Sequence, residues 1–111
     1  MSFEASTRRT PGGAVVAFTG DLDIAAEDVA ATALTEAMED TEVLVADLRE
    51  LAFLDSTGVR VLIAADLQAR EKGVRFGVAR RDGMVRRLLE VTHMEQRFAV
   101  VDDPAELTGG G

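Results

Sequence analysis

Phe53-Leu54-Asp55-Ser56-Thr57-Gly58-Val59 joins an apolar strand to a helix, and its reading decides the fold. Upstream, Val43-Leu44-Val45-Ala46 is a short continuous apolar run, the pattern of a strand covered on both faces. Downstream, Val59, Leu62, Ile63 and Leu67 recur at three- and four-residue steps, which predicts one inward face of a helix. Asp55, Ser56 and Thr57 each carry an oxygen able to accept from the unpaired N–H groups of a first helical turn. Ser56 is therefore expected at a surface corner beside the positive end of a helix. An N-cap alone would account for such a cluster. A hydroxyl there is also well placed to carry phosphate, because backbone donors and the helix dipole favour an anion.

Working outward, Phe3 to Thr10 reads as an edge strand with Phe3 and Ala5 on one face. Pro11-Gly12-Gly13 marks a turn into a buried strand, Ala14-Val15-Val16-Ala17-Phe18, so the chain opens with a hairpin. Gly20-Asp21-Leu22-Asp23 ends that strand, and a helix is expected from about Ile24 to Met38. In it Ala25, Val29, Ala33 and Ala37, with Leu34 and Met38, face inward, while Glu27, Asp28, Glu36 and Glu39 face outward. Asp23 suits its cap.

The second helix is expected from about Thr57 to Glu71, stopping at Gly73. Val74 to Val78 alternates as a strand. Asp82 or Gly83 opens a third helix through Glu90, with Met84, Val85, Leu88 and Leu89 inward. Arg97 to Val101 gives the last strand, and Pro104 to Leu107 a helical turn. Strands alternating with helices predict an α/β fold: a single domain over 1–107, a mixed, mostly parallel sheet with helices packed against it, and a flexible tail over 108–111.

Composition narrows the function classes. The 111 residues suffice for one domain with a respectable core, and 47% apolar with 29% charged is ordinary for a globular protein. Twelve Lys and Arg against twenty Asp and Glu leave a net charge of −8, which opposes direct binding to nucleic acid or to an anionic membrane surface. No cysteine is present, so there is neither a disulfide framework nor thiolate chemistry, as expected of a cytoplasmic protein. No signal-peptide core and no run of bilayer length occurs.

No catalytic constellation emerges. Ser56 lacks the Gly-x-Ser-x-Gly elbow, and His93 is the one histidine available as a base. Asp55-Ser56-Thr57-Gly58 has one residue too many for the Asp-Thr/Ser-Gly of aspartic proteases. His93 has no companions for a metal and is expected just after the third helix, in a left-handed conformation. Arg80, Arg81, Arg86 and Arg87 form a dense basic group, read as a solvated helix face, with contact to an acidic partner as the alternative.

The stretch from Leu48 to Val59, Leu-Arg-Glu-Leu-Ala-Phe-Leu-Asp-Ser-Thr-Gly-Val, resembles the signature of STAS domains, specifically the bacterial anti-anti-sigma factors, or anti-sigma factor antagonists. Thr19-Gly20-Asp21-Leu22-Asp23 resembles a second block of that family, and the likeness runs from about Ala14 to Leu107.

The resemblance implies a phosphoprotein in a partner-switching system of transcription regulation. Ser56 matches the residue phosphorylated by an anti-sigma factor with serine kinase activity, and a PPM-type phosphatase would reverse the modification. Asp21, Asp23, Asp55, Thr57, Gly58 and Arg60 are the expected partner-binding residues, with Thr57 a second hydroxyl better placed for capping or packing. Arg60 and His93 depart from the family, which commonly has glycine or a small residue near the first and glycine at the second. No cofactor or metal is expected, since ATP and its metal would belong to the kinase. No oligomeric state follows from the pattern. The alternative is a non-catalytic STAS scaffold subunit of a signalling assembly or of a lipid transporter.

Overall fold

Strand pairing begins at the turn over Pro11 and Gly12, which sets β1 (Phe3–Thr10) antiparallel to β2 (Gly13–Leu22) in the register Thr10↔Gly13 to Phe3↔Gly20. The computed structural model describes residues 2–109. As expected, Phe3 and Ala5 turn to one side of β1, and the Phe3 ring sits 5.3 Å from that of Phe18. The remaining strands, β3 (Val43–Leu54), β4 (Arg75–Ala79) and β5 (Ala99–Val101), are parallel to β2 and follow it in chain order across the sheet.

Three helices make the parallel crossovers: α1 (Glu27–Ala37), α2 (Ser56–Lys72) and α3 (Met84–Val91). Each crossover steps to the next strand in the same direction. Right-handed connections therefore place all three helices on one face. The main core lies between that face and the helices, and includes Val16, Phe18, Leu44 and Leu48 against Ala30, Leu34, Leu62 and Leu89. The reverse face carries a small second cluster, Val15, Val43, Val45 and Ala79, closed by Leu107 of α4 (Ala105–Thr108).

Several sequence expectations shift. The first helix does not start at Ile24: a 3-10 turn over Ile24–Ala26 precedes α1, and the inward face is Ala26, Ala30, Ala33, Leu34, Ala37 and Met38. Ala25 and Val29, expected inside, are exposed. In α2 Val59 and Leu62 are buried as expected, but Leu67 is 50% exposed and Val61, Ala65, Asp66 and Ala69 complete the buried surface. Met84 is exposed rather than inward.

The last strand starts at Ala99, because Arg97 and Phe98 follow a 3-10 turn over Met94–Gln96. Thr108, expected in the flexible tail, is buried at the end of α4 with Gly109 as its left-handed cap. The rest of that tail, Gly110 and Gly111, lies outside the described residues. Gly73 stops α2 at φ 72°, and His93 follows α3 at φ 58°, both left-handed as the sequence indicated.

One unequal pairing positions the site. β3 pairs with β4 only from Val43 to Asp47, yet it runs beside β2 as far as Leu22↔Leu54. The segment Leu48–Leu54 thus carries the ends of β2 and β3 about 20 Å past β4, at some 3.3 Å per residue. The base of α3 supports it there: Arg81 pairs with Glu50 at 2.7 Å.

Candidate functional site at the ends of β2 and β3

Leu22 and Leu54 are buried ladder partners, and each is followed by an aspartate that leaves the sheet and caps a helix. The two caps are nearly superimposable in backbone terms. Asp23 lies at φ −122°, ψ −168°, and its carboxylate accepts from the Ala25 amide at 3.1 Å. Asp55 lies at φ −121°, ψ −167°, and its Oδ1 accepts from the amides of Thr57 at 2.9 Å and Gly58 at 3.3 Å. A cap of this kind stabilises a helix by about 1 kcal/mol.

Asp55 therefore occupies the capping role for which Ser56 and Thr57 were alternatives. Ser56 is the first residue of α2, its side chain takes no part in the cap bonds, and it is exposed. Thr57 is buried, at 6% exposure, and its Oγ1 accepts a long 3.4 Å bond from the Arg60 guanidinium. Arg60 itself is exposed, one helical turn beyond Ser56.

Gly58 fixes how closely the helix can approach the strand ends. A Cβ there would lie 2.1 Å from Leu54 Cδ1, 3.0 Å from Leu22 Cγ and 3.1 Å from the Leu22 carbonyl oxygen. With no side chain, the first turn of α2 rests directly on both leucines. Thr57 and Gly58 are thus buried parts of the corner's framework, while Ser56 and Arg60 form its surface.

Asp21 is half-buried opposite Phe53, so the corner gathers Asp21, Asp23 and Asp55 at two neighbouring strand ends. Glu27 and Asp28 add negative charge in the first turn of α1. Two apolar side chains overlooked in the sequence also stand here: Ile24 is 76% exposed and Phe53 40%. Their signal was present, since a β-branched residue directly after a capping aspartate and a phenylalanine on a strand end have no core face to fill.

Three of the four arginines of the third helix and its lead-in are engaged within the chain, and Arg87 is exposed. Arg80 pairs with Asp102, Arg81 with Glu50, and Arg86 with both Asp82 and Glu90. Those carboxylates raise the Arg86 guanidinium above its usual range, and the two-point bond to Asp47 does the same for Arg49. Both arginines stay charged at any physiological pH, so neither acts as a pH switch. Among the described residues no acidic or histidine group has metal-binding geometry, and no helix is long and apolar enough to cross a membrane. Depressions of about 520 and 360 Å³ lie at α3 and at the opposite end of the sheet, away from Ser56.

The STAS domain family model matches residues 4–107. Comparison with curated proteins gives no match. Among solved structures the chain is similar to an anti-sigma factor antagonist from Mycobacterium paratuberculosis, at 24% identity and a TM-score of 0.87 over 96% of this chain and 91% of that one. It is similar to the phosphorylated form of the Bacillus cell fate determinant SpoIIAA, at 16% identity and a TM-score of 0.66 over 89% and 90%. It is also similar to a sulfate transporter family protein from Wolinella succinogenes, at 15% identity and a TM-score of 0.75 over 92% and 86%. These likenesses establish a shared fold, and the family model spans both aspartate-capped strand ends. On that match, the chain belongs to the STAS domain family.

Proposed function

We propose that the chain is an anti-sigma factor antagonist whose unphosphorylated form docks on an anti-sigma factor with serine kinase activity and releases the sigma factor. One observation carries the reading: Asp55 caps α2, which leaves Ser56 exposed at an acidic corner of a STAS domain. The docking surface comprises the Asp21–Asp23 loop, Ser56, Arg60 and the exposed side of α2, with Ile24 and Phe53 as apolar contacts. Thr57 and Gly58 contribute by holding the corner in shape. The solved antagonist of similar fold supports the choice of partner class, and SpoIIAA offers a phosphorylated relative of that fold.

In the switching step Ser56 Oγ attacks the γ-phosphorus of ATP. An O–P bond forms, the bond to the β–γ bridging oxygen breaks, ADP leaves, and the hydroxyl proton passes to a base of the kinase. ATP and its metal belong to that partner. The product carries about −1.5 to −2 charges at neutral pH, set among Asp21, Asp23 and Asp55. Each 1.4 kcal/mol lost at the interface weakens the complex about tenfold. Repulsion of this kind separates the partners without refolding the domain, and a PPM-type phosphatase restores the docking form in the cytoplasm.

A second reading, a non-catalytic STAS subunit of a transporter or signalling assembly, draws on the likeness to the sulfate transporter family protein. Incubation with ATP and anti-sigma kinases of the same genome, followed by intact-mass spectrometry, separates the two. The antagonist gains one phosphate that Ser56→Ala abolishes. A chain that neither binds nor is modified by any of these kinases is the scaffold.

A further inference from the structure

Arg60 is an exposed cation one turn after Ser56, and its guanidinium reaches back along α2 to within 3.4 Å of Thr57 Oγ1. That direction follows from the tilt of helical side chains toward the N-terminus. Its partner is a neutral hydroxyl at the long limit of a hydrogen bond. The nearest carboxylate in sequence, Asp55, is committed through Oδ1 to the Thr57 and Gly58 amides and forms no ion pair with Arg60. Residues 56 and 60 stand four apart on one helix, the spacing at which side chains meet.

We infer that Arg60 is an intramolecular latch for phosphoserine at position 56, an inference that rests on the switch reading above. The phosphate presents three acceptor oxygens, and the guanidinium offers a planar fork that binds two of them at once. Leaving Thr57 Oγ1 for this dianion exchanges a long neutral bond for a charge-assisted one. The latch ties the phosphate to α2, cancels part of the charge shown to a partner, and removes Arg60 from the docking surface. Phosphorylation then alters two features of the corner together: it adds an anion and withdraws a cation. Charge repulsion by Asp21, Asp23 and Asp55 acts against the phosphate dianion, and Arg60 opposes that effect.

The test installs phosphoserine at position 56 during translation, so that no kinase is needed. Titration by ³¹P NMR then follows its second ionisation in the wild-type background and in Arg60→Gln and Arg60→Lys. Because Arg60 is exposed, these variants keep the fold. The latch predicts that Arg60→Gln raises this pKa by about 0.2–0.4 of a pH unit, with Arg60→Lys in between. It also predicts that phosphorylation protects the first turn of α2 from amide exchange more strongly with Arg60 than with glutamine. Identical titrations in the three backgrounds overturn the latch. Failure of every kinase to modify Ser56 would remove the switch and leave this titration unaffected.

Discussion

Replacing Gly58 by alanine adds one methyl group at the point where α2 rests on the ends of β2 and β3. Its Cβ would lie 2.1 Å from Leu54 Cδ1, and 3.0 and 3.1 Å from the Leu22 side chain and carbonyl oxygen. Leu54 Cδ1 can rotate, but both leucines are buried, at 2% and 0% exposure, and the Leu22 carbonyl is backbone. Overpacking of this kind costs about 1–3 kcal/mol. Alanine recovers up to about 1 kcal/mol of helix propensity over glycine, less in a first turn.

The net expectation is a loss of about 1–2 kcal/mol, or a fall in Tm of about 4–8 °C for a chain of this size. Thermal unfolding followed by circular dichroism measures it, with urea unfolding as a second estimate. Shortening the obstructing side chain supplies an internal control. Gly58→Ala combined with Leu54→Val should be less destabilised than the sum of the two single variants, since neighbouring sites couple. An unchanged or raised Tm for Gly58→Ala would refute the close approach that positions Ser56.

Two further substitutions test the supports of the helices. Asp55→Ala removes the acceptor for two amides and should cost about 1 kcal/mol, whereas Asp55→Asn keeps a capping oxygen and should unfold within about 1 °C of the wild type; equal losses would show that the cap depends on charge. Arg9 donates from β1 to the carbonyls of Glu36, Ala37 and Glu39 at the end of α1, so Arg9→Ala should lower stability by about 0.5–1 kcal/mol and speed amide exchange in the last turn of α1 specifically.

The order of elements was legible because punctuation was strong: Pro11-Gly12 at the hairpin, Asp23 and Asp55 at caps, and Gly73 at a left-handed stop. The inward face of α1 was not. Alanines at 25, 26, 30, 31, 33 and 37 satisfy more than one helical phase, and the 3-10 turn over Ile24–Ala26 winds more tightly than an α-helix and so selects the phase containing Ala26 and Ala30. The length of β3 was hidden for a different reason. Asp47, Arg49 and Glu50 interrupt its apolar run, yet Asp47 and Arg49 neutralise each other on the reverse face, and Glu50 reaches Arg81.

Leu67 and Met84 matched the expected helical spacing but fall outside the surface each helix buries, a boundary set by neighbouring elements rather than by period. At the site, the residue types were legible and their division of labour was not. Only the folded chain distinguishes Asp55 as the cap, Thr57 and Gly58 as buried framework, and Ser56 and Arg60 as surface.

Under the proposed switch, one phosphate on Ser56 governs docking. Calorimetric titration of the anti-sigma kinase from the same genome with the unmodified chain, with Ser56→Ala and with the Ser56-phosphorylated chain tests it most directly. The first two should bind alike, and the phosphorylated form should bind at least tenfold more weakly. Equal affinity of the phosphorylated and unmodified chains would contradict it.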